Sequence, residues 1–277
     1  MSELIAAQTQ HSGSKIRETK WIMSTSGTTG TPKLVGHILT SLSKSTKANP
    51  ERGRDQNWGM LYDYTRFAGL QVFLQSVISG ARLIAPNYDT PLGEKIALFL
   101  EMNCTHLSAT PTFWRKIIMT PGSEKLNLKQ VTLGGEIADD RILSGVSAQY
   151  PNARVAHIFA STEAGVGFSV SDGKAVFPES HLTNPPPGVD IKVEGAKLYV
   201  RNPHVMPGYL GETRVFSEGD GWVETGDTVE IKQGLVSSAG QRKGCIEPIR
   251  GRCITKCFSW ARIQLQGHLV EIVLAEG

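Results

Sequence analysis

Residues 24–33 read Ser-Thr-Ser-Gly-Thr-Thr-Gly-Thr-Pro-Lys. Such a stretch buries nothing, but it has what a polyphosphate needs. Gly27 and Gly30 allow positive φ and close backbone approach. Backbone N–H groups and the hydroxyls of Ser24, Thr25, Ser26, Thr28 and Thr29 are donors, and Lys33 brings the charge. A flexible Ser/Thr/Gly linker would have a similar composition. Against that, Pro32 and Lys33 end the run abruptly and apolar Leu34-Val35 follows at once. The common P-loop is excluded, because it needs lysine directly after its last glycine. Here Thr31 and Pro32 intervene, and Pro32 lacks an N–H.

Three further clusters carry polar chemistry. Gly134-Gly135-Glu136 and Ser161-Thr162-Glu163 each follow a short apolar run. The second could hold a hard cation, since Mg²⁺ prefers oxygen ligands, commonly one carboxylate plus phosphates. The same residues could cap a helix. Thr225-Gly226-Asp227 follows Trp222, and its carboxylate suits paired hydroxyl donors. Gly-Asp is also common in β-turns.

The loop Ser-Gly-Thr-Thr-Gly-x-Pro-Lys resembles the signature of the AMP-forming adenylating enzymes: acyl-CoA synthetases, peptide-synthetase adenylation domains and luciferases. Phe159-Ala160-Ser161-Thr162-Glu163 resembles the family's aromatic-Gly-x-Thr-Glu motif, with Ala160 where glycine is usual. Thr-Gly-Asp at 225–227 is the third match, in the expected order. The resemblance implies that Lys33 and the loop hold the β/γ phosphates, Thr162 binds phosphate and Glu163 holds Mg²⁺ and acts with Lys33 in catalysis. It places Gly134, Gly135, Glu136, Phe159, Ala160 and Ser161 around the nucleotide and acyl group, and Asp227 on the ribose. Tyr209 is expected to be structural. Arg66 stands where the family often has histidine, and could grip a carboxylate or phosphate or form a surface pair. His106 and His157 lie in apolar runs and read as packed side chains.

The implied reaction joins a small-molecule carboxylic acid to ATP, giving acyl-AMP and pyrophosphate. Transfer to CoA or to the phosphopantetheine thiol of a carrier protein follows. A non-catalytic nucleotide-binding remnant is the alternative. The match covers roughly residues 20–240. The family's preceding α/β subdomain has no counterpart here, nor does its mobile C-terminal domain with a lysine for the acyl phosphate. Without that lysine, full turnover is in doubt. After Gly240 the sequence departs from the family. It carries Cys245, Cys253 and Cys257, whose spacing with His268 matches no familiar zinc pattern.

Bulk properties agree with a globular protein. Hydrophobic residues make up 40% and charged residues 20%, which supports a packed core. A net charge of +3 is too small to argue for nucleic acid or an anionic membrane. No apolar run is long enough for a membrane span. The 4 cysteines are too few and uneven for a disulfide framework, so a cytoplasmic location is expected.

Short apolar strands alternate with helical patterns from Trp21 to Phe159, so an α/β fold with a mostly parallel sheet and flanking helices is expected. Helices are expected over 40–47, 69–77, 92–103, 113–119 and 141–150. After Pro178 come short alternating runs, at 190–193, 197–201, 221–224, 228–232 and 235–238, which suggest a small antiparallel β subdomain. The expected division is a disordered segment 1–19, an α/β nucleotide-binding subdomain 20–177, a β subdomain 178–240 and a divergent tail 241–277.

Overall fold

The computed structural model describes residues 19–25, 33–47, 49–202, 208–210, 217–218, 220–241, 262–265 and 268–271. Lys20–Ser24 (β1) and Leu34–Ile38 (β2) form an antiparallel hairpin. The Thr25 N–H donates to the Lys33 carbonyl at 2.8 Å, which brings the flanks of the Ser/Thr/Gly loop together. Leu39–Ser43 (α1) follows directly. It stops short of the expected Lys47, as befits a Ser/Thr-rich run whose hydroxyls compete for backbone groups. Ser41 shows this competition, its hydroxyl donating to the Ile38 carbonyl at 2.8 Å.

The central sheet is built from alternating strands and helices. In order come Pro50–Gly53 (α2), Asn57–Gly59 (β3), Phe67–Ser79 (α3), Arg82–Ile84 (β4), Leu92–Glu101 (α4), His106–Ala109 (β5) and Pro111–Ile118 (α5). Gln130–Gly134 (β6), Asp140–Gln149 (α6), Arg154–Ser161 (β7) and Gly165–Val170 (β8) complete it. The strand order is β4-β3-β5-β6-β7-β8, parallel up to β7, with β8 an antiparallel edge. The mostly parallel α/β sheet is as expected. Local chemistry sets the helix ends. Gly80 closes α3 in the left-handed region at φ 70°. Thr110 caps α5, with Pro111 in its first turn. The Asp139 carboxylate accepts the Ile142 N–H at 2.9 Å and starts α6.

One face of this sheet packs on α4, α5 and α6. Leu107, Val131 and Leu133 meet Phe99, Trp114, Ile117 and Val146, all fully buried. His106 and His157 are buried as well. Burial pushes the pKa of each down to about 4, with the Lys129 charge adding to the effect at His106. An unfolded chain takes up these protons near pH 6.5, whereas the folded one resists until about pH 4. Stability is therefore expected to be full above pH 6.5 and to fall as pH drops from there towards 4, by roughly 1–3 kcal/mol per histidine. Urea midpoints at stepped pH check this. His157→Asn should flatten the slope, and an unchanged slope would contradict the assignment.

A second sheet contains Val176–Pro178 (β9), Asp190–Glu194 (β10), Lys197–Arg201 (β11), Ser217–Glu218 (β12), Trp222–Lys232 (β13) and Leu235–Gln241 (β14). It is antiparallel, ordered β10-β11-β13-β14-β9, with β12 on β13. Its core of Phe177, Ile191, Leu198, Val200, Val223 and Val236 takes in Phe168 and Val170 of β8, so the two sheets share a hydrophobic seam. Lys44, just after α1, ties that segment to the second sheet, donating to the Gly188 carbonyl before β10 and, at 3.3 Å, to Asn202 after β11.

Two strands were expected at 221–224 and 228–232, but β13 runs through both. Tyr199 faces Glu224 and Lys197 faces Thr228, so Thr225-Gly226-Asp227 bulges from the ladder opposite the single residue Leu198. Gly226 has φ 84°, which favours glycine there. Arg262–Leu265 (β15) and His268–Glu271 (β16) form a separate hairpin. Residues 1–18 of the expected disordered segment and the cysteines 245, 253 and 257 lie outside the described residues. Among the described residues no helix is long and apolar enough to cross a membrane.

Candidate functional site

The strands β5, β6 and β7 run parallel, so the segments after them gather at one edge of the sheet. In open α/β sheets this edge is where ligands collect. A cleft of about 1890 Å³ takes in this edge and runs along the sheet as far as Gln130 and Arg154, and both sheets and the β1–β2 hairpin line it. Ser24, Thr25, Lys33, Gly134, Gly135, Glu136, Phe159, Ala160, Ser161, Thr162, Glu163 and Asp227 all border it. The middle of the Ser/Thr/Gly loop, Ser26, Gly27, Thr28, Thr29 and Gly30, lies outside the described residues.

Ser161-Thr162-Glu163 does not cap a helix. It forms the turn between β7 and β8, where the Ser161 hydroxyl accepts the Ala164 N–H at 2.9 Å. This turn is clamped twice. His37 of β2 is buried, and its Nε2 bonds the Thr162 carbonyl at 2.8 Å. The carbonyl can only accept, so Nε2–H is the donor; burial lowers the His37 pKa, partly offset by that bond. Tyr209 forms the second clamp. Its hydroxyl donates to Glu163 Oε1 at 3.2 Å, and Lys33 Nζ lies 4.5 Å from its ring centroid. Backbone pairing holds Tyr209 in place, through a bridge to Val35 and a 2.8 Å bond from Leu210 N–H to the Leu34 carbonyl.

Lys33 and Glu163 are thus brought to one point from positions far apart in the chain. Loss of the His37 bond should loosen the turn between them. His37→Leu is expected to cost about 1–2 kcal/mol of stability in a urea titration, and His37→Gln, which retains an N–H donor, to recover part of it. Equal losses in both variants would contradict a role for the bond.

On the opposite wall, the Thr225 hydroxyl donates to the Leu198 carbonyl at 3.1 Å and accepts the Asp227 N–H at 3.2 Å. These two bonds fix the bulge that presents Asp227. Phe159 stacks on Phe168 with centroids 4.5 Å apart, so one face of its ring belongs to the inter-sheet core. Glu136 is partly committed too, since its carboxylate accepts the Thr112 N–H at the start of α5 at 2.9 Å. Arg66 precedes α3 and donates to the Ser24 hydroxyl at 3.3 Å, which puts it beside the start of the Ser/Thr/Gly loop. Tyr62 crosses to β6, its hydroxyl donating to the Gly134 carbonyl at 3.3 Å.

The clamping roles of His37 and Tyr209 carry no local sequence signal. His37 sits in an apolar strand like any packed histidine. Tyr209 follows Pro207-Gly208, and nothing nearby in the sequence points to Glu163.

The model for the AMP-binding enzyme family matches residues 5–210. A 2-succinylbenzoate–CoA ligase from Listeria innocua is 25% identical over 232 residues, covering 76% of this chain and 46% of the relative. A 4-coumarate–CoA ligase from Arabidopsis thaliana is 27% identical over 240 residues, covering 73% and 41% respectively. The chain therefore spans less than half the length of these curated relatives. Among solved structures, O-succinylbenzoate coenzyme A synthetase from Bacillus subtilis, in complex with ATP and magnesium, matches with a TM-score of 0.62 at 18% identity. That match covers 86% of this chain and 55% of the other.

Proposed function

This chain belongs to the AMP-binding enzyme family, and from that premise we propose that it carries the nucleotide and acyl site of an acyl-adenylating ligase. The supporting observation is the meeting of Lys33 and Glu163 around Tyr209, in a cleft that Asp227 also borders. In this reading a carboxylate oxygen of a small acid attacks the α-phosphorus of ATP. The bond to the bridging oxygen breaks and pyrophosphate leaves with that electron pair.

Both reactants are anionic, so the site must neutralise charge as they approach. Lys33 and the loop would hold the β/γ phosphates. The Asp227 carboxylate would accept the two ribose hydroxyls and fix the sugar. Glu163, with phosphate oxygens, offers the hard oxygen donors that Mg²⁺ takes. Bound Mg²⁺ would supply further positive charge at the phosphates. Both named relatives are CoA ligases, which supports CoA as the acceptor; a carrier-protein thiol is the other acceptor of the same chemistry.

Trapping tests the reading. The full chain with ATP, Mg²⁺, a panel of carboxylic acids and hydroxylamine should form a hydroxamate from at least one acid. Lys33→Ala should lower that yield about 10²-fold. Hydroxamate formation unaffected by Lys33→Ala would contradict the assignment of the loop.

A further inference from the structure

Two opposite charges that must serve different parts of one ligand face a difficulty before it arrives. Lys33 and Glu163 sit close enough to share one neighbour, and a direct ion pair between them would compete with ATP and with the cation. Tyr209 stands between them. Its ring face takes the Lys33 ammonium at 4.5 Å, and its hydroxyl takes Glu163 Oε1 at 3.2 Å. An ammonium over a ring is worth about 0.5–1 kcal/mol at an exposed site. A single hydrogen bond is of the same order. Both are strong enough to orient a side chain and weak enough to yield to a phosphate or a divalent cation. Tyr209 cannot drift, because its own backbone is bridged to Val35, two residues after Lys33. The turn carrying Glu163 is held to the same strand β2 by His37.

We infer that Tyr209 is a positioning residue, which holds Lys33 and Glu163 apart and orients each for its own part of ATP·Mg²⁺. The inference rests on the adenylation reading above. It assigns the hydroxyl to the cation side and the ring to the phosphate side, so the two contacts can be separated. Tyr209→Phe keeps the ring and removes the hydroxyl, whereas Tyr209→Leu removes both.

The test uses the full chain, with calorimetric ATP titrations across a series of MgCl₂ concentrations and a thermal melt of each variant. Tyr209→Phe is expected to raise the Mg²⁺ concentration for half-maximal ATP binding about 3–10-fold, with ATP affinity at saturating Mg²⁺ unchanged. Tyr209→Leu should weaken ATP binding by about 3–5-fold even at saturating Mg²⁺. In a Glu163→Gln background, Tyr209→Phe should add no further shift in Mg²⁺ dependence. Should the Leu variant lose its fold, the Phe variant and this cycle still decide. Equal effects of Phe and Leu, or an unchanged Mg²⁺ dependence in Tyr209→Phe, overturn the positioning role alone. A wild-type chain that binds no ATP overturns it together with the adenylation reading.

Discussion

Glu163→Gln is expected to lower carboxylate-dependent adenylation by about 10²–10³-fold, the scale for removing one aimed electrostatic group from a reaction centre. The change is isosteric, and the Tyr209 hydroxyl can still donate to the amide oxygen. The turn stays clamped by the His37 bond to the Thr162 carbonyl, so the fold should hold. What disappears is the negative charge and hard oxygen that a divalent cation needs beside the phosphates. The loss should be accompanied by a higher Mg²⁺ requirement and should be only partly recovered at high Mg²⁺. Initial rates of AMP-forming turnover across Mg²⁺ concentrations, with a melt as control, check it. A variant within threefold of wild type at every concentration would remove Glu163 from the site.

Trp114→Ala is expected to destabilise the chain by about 3–5 kcal/mol, within the range for deleting a buried large side chain. That is a large share of the 5–15 kcal/mol typical of a folded domain. Trp114 is 0% exposed, and its indole N–H donates to the Thr132 carbonyl at 2.9 Å. Its ring meets Tyr150 edge-on at 6.0 Å, tying α5 and α6 beneath β6. β6 ends at Gly134, so loss of this anchor should also blur the cleft wall formed by Gly134, Gly135 and Glu136. Trp114→Phe keeps most of the packing but lacks the indole donor, and should cost about 1–2 kcal/mol. Urea unfolding with an unchanged m-value measures both. A Trp114→Ala variant within 1 kcal/mol of wild type would contradict this account of the core.

β4, β5, β6 and β7 of the parallel core are legible as short apolar runs with Gly, Pro or Asn close to at least one end. β3 was not seen. It has only three residues and includes Gly59, where a Cβ would stand 2.6 Å from Leu107 Cδ1, so tight packing rather than side-chain pattern made it a strand. β8 escaped notice because Gly165 and Gly167 break the alternation. At Gly167 a side chain would press on the Phe159 carbonyl at 3.0 Å. Thr-Gly-Asp was read as a junction between strands, since a bulge inside a long strand looks like a turn in sequence. It is the ladder with β11 that distinguishes them.

In the candidate site, residue types were legible and their connections were not. Lys33, Glu163 and Asp227 stand out by charge and motif. His37 and Tyr209 act through partners that only the fold brings near, so no window of sequence contains both halves of either contact.

Exchange of labelled pyrophosphate into ATP by the full chain tests the central claim most directly. The account predicts exchange that requires Mg²⁺ and a small carboxylic acid, and that falls sharply in Glu163→Gln. Measurable ATP binding without acid-dependent exchange for any acid in a broad panel would contradict it.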